Sequence, residues 1–280
     1  MKNLIIIFAS ILISCGSLAG FLANAKAAIL VAHYGSSDDD TRAKTIDRIS
    51  SDIRQVFSLF EVREAYISPV VRRNLAKKGI ETDSPTESLL KLRAEGYDSA
   101  YILSTTIIDG AEMAEVRKSV TDVSPFFDFI KVGDSLLHSP DDCARLAGIL
   151  SDYSPNPDEA VIYVGHGNAL PSTATYTQLD YMFANQGYPR LHVSTIEGYP
   201  DADATLRELK SDPNITKVTL IPMLLVCGNH TKGDIAVDFA GAMKSAGYEV
   251  EIVMRGLAEL QAVRDMYVDK ARNLIGSPAD

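Results

Sequence analysis

The stretch Val161-Ile-Tyr-Val-Gly-His-Gly167 sets an apolar run directly before a histidine between two glycines. A run of this kind is typical of a buried strand, and the glycines after it predict a tight exit loop. A similar passage stands earlier in the chain, where Ile29-Leu-Val31 leads to His33-Tyr34-Gly35, so that the two histidines are 133 positions apart. The repeated pattern indicates two related units within one chain.

Short β-branched runs alternate with longer amphipathic stretches on either side of these passages. Strands are predicted at 28–32, 61–67, 99–108, 126–132, 161–164, 193–196 and 218–226, and helices at 42–57, 85–95, 112–120 and 140–150. Strands that alternate with helices indicate parallel sheets covered on both faces. The fold class is therefore α/β, with two similar doubly wound parallel-sheet domains facing each other across a cleft.

The boundary between the two units is predicted in the polar segment 151–159, which contains Pro155 and Pro157. We accordingly expect a first domain at 27–155 and a second at 156–280. The whole chain of 280 residues is 46% hydrophobic and 23% charged, as in soluble globular proteins. Its net charge of -10 would repel a phosphate backbone, which argues against nucleic acid as a partner.

Residues 1–25 differ from the rest and are predicted to be a secretory signal. Lys2 precedes the apolar run 4–13, and Ala23-Asn-Ala25 has the A-x-A form of a cleavage site, so a periplasmic location is expected. Two alternatives remain: an uncleaved membrane span over 4–25, or a lipoprotein whose anchor is attached at Cys15 after Leu12-Ile-Ser14. Cys143 and Cys227 would reach an oxidising compartment, and two buried thiols are favoured over a bridge between them.

Several common catalytic motifs are absent from the sequence. It contains no G-x-x-x-x-G-K-[ST] phosphate loop, no G-x-S-x-G nucleophile elbow, and neither C-x-x-C nor H-E-x-x-H. Nothing in it therefore points to a nucleotide cofactor, a serine hydrolase or a common zinc layout.

Three metal-capable side chains follow predicted strands in the second half, namely His166, Glu197 and His230. The carboxyl ends of parallel strands share one sheet edge, where ligands bind in open α/β folds. Two imidazoles and a carboxylate suit Co, Ni, Fe or Zn and leave coordination positions open for a substrate. A single histidine after a buried strand is more often structural, but three such residues on consecutive strand ends favour a metal site. His33 lies at the equivalent edge of the first domain, whereas His138 and His192 have no such placement and are assigned to structure or surface.

Motifs spread over most of the chain carry a resemblance to a known family. They are Ile67-Ser-Pro-Val-Val-Arg72, Asp83-Ser-Pro-Thr-Glu87, Val132-Gly-Asp-Ser-Leu-Leu137, Gly165-His-Gly-Asn168, Thr195-Ile-Glu-Gly-Tyr-Pro200 and Pro222-Met-Leu-Leu-Val-Cys-Gly-Asn-His230. Together they resemble the anaerobic cobalt chelatases of the sirohydrochlorin cobaltochelatase family, relatives of the ATP-independent ferrochelatases. The resemblance implies that His166 is both metal ligand and proton acceptor, and that Glu197 and His230 complete the metal site.

The resemblance implies ATP-independent insertion of Co(II), the substrate metal, into the tetrapyrrole sirohydrochlorin, as in cobalamin-type biosynthesis, with iron as a second metal. Two histidines common in the family are replaced here, by Thr106 and Leu170. Substrate contacts are expected from His33, Thr105, Thr106 and Asn168. A homo-oligomer is compatible with the sequence, although no feature specifies it. The alternative is a periplasmic protein that keeps this fold to bind and transport haem, another tetrapyrrole or metal.

Overall fold

The computed structural model describes residues 26–227 and 233–276. The described residues contain two four-stranded parallel sheets, ordered β2-β1-β3-β4 and β6-β5-β7-β8. The strands of the first sheet are β1 (Ala27–His33), β2 (Glu61–Tyr66), β3 (Ser99–Ser104) and β4 (Phe129–Val132). Those of the second are β5 (Glu159–Gly167), β6 (Leu191–Glu197), β7 (Lys217–Pro222) and β8 (Glu249–Ile252).

Helices connect the strands and cover both faces of each sheet. They are α1 (Asp39–Lys44), α2 (Ile46–Val56), α3 (Pro69–Ala76), α4 (Pro85–Ala94), α5 (Ala111–Val123), α6 (Pro140–Leu150), α7 (Ala174–Asn185), α8 (Ala202–Leu209), α9 (Ala240–Ser245) and α10 (Gln261–Gly276). A π-helical segment, Asp234–Phe239, leads into α9. Capping boxes begin α4 at Ser84 and α6 at Ser139, where each serine hydroxyl accepts a hydrogen bond from a first-turn N–H.

The two halves repeat one topology, as the paired sequence patterns predict. In each sheet the first strand of the half lies between the second and third, and all pairs are parallel. This arrangement confirms the expected fold of two parallel-sheet α/β domains. It also brings the carboxyl ends of β5, β6 and β7 to one edge of the second sheet. The candidate metal ligands lie in the sequence at or after these strand ends.

One continuous apolar core lies between the sheets and joins the two halves. It takes in Val31 of β1 and Tyr163 of β5, together with buried residues of α2, α6, α7 and α10. Separate clusters cover the outer face of each sheet. The halves are therefore packed as one body, because the four helices between the sheets belong to a common core.

The last helix of each half packs against a helix of the other half. Helix α6 follows β4 but packs on α7, and α10 follows β8 but packs on α2. The α10 contact includes the Arg264 guanidinium, whose Nε lies 2.8 Å from Asp52 Oδ2, and the Tyr267 hydroxyl, which donates to the Thr105 carbonyl at 2.9 Å. A groove of about 630 Å³ lies where α2, α6 and α10 meet.

One predicted helix and two predicted strands differ from the structure. The helix is broken in two, and the strands end before their apolar sequence patterns do. The helix predicted at 42–57 is broken at Thr45, which separates α1 from α2. The Thr45 hydroxyl donates a hydrogen bond to the Thr41 carbonyl at this break. The strands predicted at 99–108 and 218–226 end at Ser104 and Pro222. Their apolar continuations are loop residues packed in the core, as for Ile107, whose carbonyl accepts from the Leu137 N–H at 2.8 Å.

Cys143 and Cys227 are both free thiols, the first buried and the second half-buried. The prediction of two buried thiols is therefore confirmed for Cys143, whereas Cys227 is a free thiol that is only half-buried. Across 26–227 and 233–276, every helix is too short or too polar to cross a bilayer. The predicted signal segment 1–25 and its Cys15 lie outside the described residues.

Candidate metal centre at the strand ends

His166 and Glu197 lie side by side at the carboxyl edge of the second sheet. Gly167, which follows the histidine, is in register with Glu197 across the β5–β6 pair. Both side chains are exposed, although the rest of β5 is buried. The two predicted ligand residues therefore lie at the ends of neighbouring strands, because parallel pairing aligns the ends of adjacent strands.

The backbone fixes which ring nitrogen of His166 is free. Its Nδ1 lies 3.0 Å from the Gly167 carbonyl oxygen, which can only accept a hydrogen bond. The neutral ring must then carry its proton on Nδ1, leaving the Nε2 lone pair to face outward. An imidazole held in this way is the usual form of a metal ligand, and the same lone pair can accept a proton.

Gly167 is required for the close approach of the two strand ends. Its φ of +77° lies in the left-handed region, and a Cβ built there would fall 1.6 Å from the Glu197 carbonyl oxygen. The next loop is equally tight, since a Cβ on Gly198, with a φ of +103°, would fall 2.7 Å from the Asn168 carbonyl oxygen. The strand ends that bear the ligands, and the loops that follow them, are thus in backbone contact, which only glycine permits.

Tyr176 of α7 packs against the end of β5 and supports the glycines on either side of His166. The sequence does not predict this role. Its ring packs so close to Gly165 that a Cβ there would lie 2.4 Å from the ring, and its hydroxyl is hydrogen-bonded to the backbone of Gly167. Burial raises the pKa of Tyr176 to about 12, so the hydroxyl stays neutral. An aromatic residue ten positions after the histidine gives no signal in a single sequence.

The β5 exit loop meets the loop that follows β3 in the first half. The Asn168 side-chain Nδ2 would lie 3.1 Å, and the Glu112 Oε2 3.5 Å, from a Cβ on Gly110. The Asn168 Oδ1 accepts from the Leu170 N–H at 2.8 Å, which holds the amide in a turn. The carboxylate of Glu112, at the start of α5, therefore lies near the loop that carries His166.

The chain after β7 is held between the two halves. The Thr41 hydroxyl donates to the Cys227 carbonyl at 3.4 Å, and Val226 packs with Tyr66 and Leu75 of the first half. On the other side, the Leu257 N–H donates to the Leu224 carbonyl at 2.8 Å. His230, the third predicted ligand, lies outside the described residues, which resume at Gly233.

His33 and Thr105 are both buried in the first half. His33 is fully buried, with Nδ1 3.0 Å from the Thr105 hydroxyl and Nε2 3.0 Å from the Ser50 hydroxyl. Burial, with a smaller contribution from Arg54, lowers the pKa of His33 to about 3. Both polar groups are thus hydrogen-bonded inside the first half and neither is exposed, so their contacts with a substrate stay predictions.

Thr106 and Asn168 are half-buried, and their roles in substrate binding stay predictions. The Thr106 hydroxyl accepts from the Ser104 hydroxyl at 3.2 Å and lies 3.7 Å from the Met113 sulfur. The Thr106 hydroxyl thus contacts residues of the first half.

The fold is that of the chelatases. It is similar to the structure of SirB from Bacillus subtilis with Fe3+, with a TM-score of 0.66 and 13% identity, covering 90% of this chain and 96% of the other. It is also similar to SirB from Bacillus subtilis subspecies spizizenii in complex with cobalt, with a TM-score of 0.61, 12% identity and coverages of 90% and 97%.

The sequence comparisons define the family more narrowly. Residues 27–276 match the family model described as cobalt chelatase (CbiK), and the chain belongs to that family. It is 33% identical over 250 residues to the sirohydrochlorin cobaltochelatase of Salmonella typhimurium, covering 87% of this chain and 94% of that protein. It is 31% identical over 256 residues to the sirohydrochlorin cobaltochelatase CbiKC of Nitratidesulfovibrio vulgaris, with coverages of 87% and 89%.

Proposed function

We propose that this protein inserts Co(II) into sirohydrochlorin without a nucleotide, using the strand-end pair His166 and Glu197 together with His230. The observation that carries the proposal is the position of His166 and Glu197 at the ends of two paired strands, with the His166 Nε2 not used by the Gly167 carbonyl. Membership of the cobalt chelatase family and two relatives named for this reaction support it.

The reaction releases two protons from the pyrrole nitrogens as the metal enters the ring. A labile metal held by an imidazole and a carboxylate keeps coordination positions open for those nitrogens. After the metal leaves, the lone pair of the His166 Nε2 is free to take one proton. Glu112, at the facing edge, offers a carboxylate for the second proton. Iron as an alternative metal follows from the same ligand set, which does not by itself select cobalt.

Turnover separates this function from that of a carrier for a finished metallated ring. Sirohydrochlorin, Co(II) and catalytic amounts of the protein are mixed without oxygen, and the absorbance of the ring is followed. We expect many equivalents of cobalt product per chain, and at least a tenfold loss of rate in His166→Ala, because the outward-facing nitrogen is lost. His138→Ala is the matched control, since this exposed histidine pairs with Asp134 on its own loop.

A single stoichiometric burst, or tight capture of haem without insertion, would favour the carrier instead. Equal rates in His166→Ala and the unaltered protein would remove the site assignment while leaving the family membership intact.

We further propose that the protein is exported to the periplasm, either cleaved before Lys26 or lipidated at Cys15. The uncharged run 4–13 and the A-x-A sequence at 23–25 support this proposal. Intact-mass spectrometry of protein from its native host decides between the forms, because a chain that begins at Lys26 excludes the lipid anchor. An intact Met1 in the cytosol would contradict both.

A further inference from the structure

A second set of metal-capable side chains lies at the opposite end of the second sheet. Asp180 of α7, His192 near the start of β6 and Glu208 of α8 each offer one donor atom, and the three atoms lie within 4.8 Å of one another. His192 lies near the start of β6 and Glu197 at its end, and the five residue steps between them span about 16 Å. This cluster is therefore distinct from the strand-end site.

The three residues converge because β6 is the edge strand of its sheet. Helix α7 packs on the inner face with the common core, whereas α8 packs on the outer face. Asp180 and Glu208 reach around the open edge from these two faces and meet at His192. Three separate elements thus supply the donors, which sequence spacing could not indicate.

The distances suit a small divalent ion. The His192 Nδ1 and the Glu208 Oε2 are 3.4 Å apart. Ligand atoms bound to one transition ion at about 2.1 Å are separated by roughly 3 to 3.5 Å in tetrahedral or octahedral sites. The His192 and Glu208 donor atoms already have this spacing. The other donor-to-donor distances are at most 4.8 Å and can shorten to about 3.5 Å by rotation of the side chains.

The site also has a fixed ligand and open space beside it. The Asp180 Oδ1 accepts a hydrogen bond from the Val193 N–H at 2.6 Å, which orients the carboxylate and leaves its other oxygen free. All three residues line a cavity of about 230 Å³. The cavity beside the three side chains and the oriented Asp180 carboxylate together distinguish the cluster from a simple surface ion pair.

The charges around His192 favour a cation there. Two carboxylates face one imidazole whose side chain is 13% exposed. Of the nearby bases, Arg190 is paired with Asp212, and Arg207 acts on Glu208 from within α8. Burial raises the pKa of Asp180, whereas the His192 hydrogen bond lowers that of Glu208, so the carboxylates differ in environment.

We infer that Asp180, His192 and Glu208 form a second site for a borderline divalent cation such as Zn²⁺ or Co²⁺, remote from the insertion site. One imidazole and two carboxylates are the donors that such ions accept, and they leave coordination positions for water.

Equilibrium dialysis with Zn²⁺ alone tests this inference in the full chain carrying His166→Ala, which weakens the strand-end site. We expect this chain to bind one Zn²⁺ that is lost, or weakened at least about tenfold, when His192→Ala is added. Asp180→Asn should have the same effect while retaining the hydrogen bond from Val193, and it decides the question if the histidine variant does not fold. His138→Ala, added to the same background, should change nothing.

Circular dichroism spectra of the variants establish that each is folded before metal is counted. Zn²⁺ binding that is equal with and without Asp180→Asn, or absent from the His166→Ala chain, would overturn the second site. Neither result would bear on the proposed insertion activity, which is measured separately by turnover of the unaltered protein.

Discussion

His33 and His166 end equivalent strands of the two halves, yet the structure gives them opposite environments. His33 is enclosed by Ser50 and Thr105, whereas His166 is exposed with one nitrogen bound to the adjacent carbonyl. The sequence could locate both at a sheet edge, because each histidine follows a short apolar run and is followed closely by glycine. It could not tell which one is covered, since the burial of His33 depends on tertiary contacts with Ser50 of α2 and with Thr105, which follows β3.

Replacement of Gly167 by alanine should impair the site through a clash rather than a lost contact. The new Cβ would meet the Glu197 carbonyl, so the ends of β5 and β6 must separate. We expect a loss of about 2–3 kcal/mol in unfolding free energy, and at least a tenfold fall in cobalt insertion.

Gly187→Ala is the matched control for this prediction. Its φ is also positive, at +87°, but a Cβ there would meet nothing within 4 Å. It should cost only about 1 kcal/mol in urea unfolding and leave insertion unchanged. Equal effects of the two substitutions would show that backbone conformation, and not the clash, decides the outcome.

At the scale of elements, the sequence patterns predict seven of the eight described strands, miss β8, and extend two of the seven too far. Apolar runs over 99–108 and 218–226 contain both strand and buried loop, and hydrophobicity alone does not separate these. Helix α6 was predicted with its observed bounds because Ser139 and Pro140 mark its start. The packing of α6 and α10 on opposite halves left no trace in local sequence, because it is a tertiary property.

Removal of one hydroxyl from α10 should measure how strongly this helix is held to the first half. Tyr267→Phe keeps the ring in the core but leaves the buried Thr105 carbonyl without the hydrogen bond from Tyr267. We expect the unfolding free energy to fall by about 1–3 kcal/mol in urea titrations. Tyr181→Phe, on an exposed side chain of α7, should have little effect, and an unchanged midpoint in Tyr267→Phe would contradict the assigned role.

For the whole molecule, the shared core makes the two halves one unit of stability. Buried residues of both sheets and four helices belong to a single cluster, so we expect one cooperative unfolding transition. Any buried group whose protonation opposes folding then affects the entire chain.

Protonation of His33 should make the protein unstable in acid. Its pKa is about 3 when folded and about 6.5 when unfolded, so between these values the unfolded chain binds more protons. Stability should therefore fall as the pH drops from 6.5 toward 3, with this residue contributing up to about 1.4 kcal/mol per pH unit.

Urea unfolding between pH 5 and 6.5 checks this expectation. His33→Gln cannot titrate, so its stability should depend less steeply on pH, although it is less stable overall because the ring's hydrogen bonds change. Parallel curves for the variant and the unaltered protein would mean that His33 is not the residue responsible.

The reciprocal packing of α6 and α10 bears on how a chain with this architecture can be divided. Each half lends its terminal helix to the other, so a half expressed alone would expose the inner face that the borrowed helix covers. Two copies of such a half could cover both faces by exchanging that helix, which is the geometry of a domain-swapped dimer. The present chain thus has the form of such a dimer fused head to tail, with the turn at 151–158 as the covalent join.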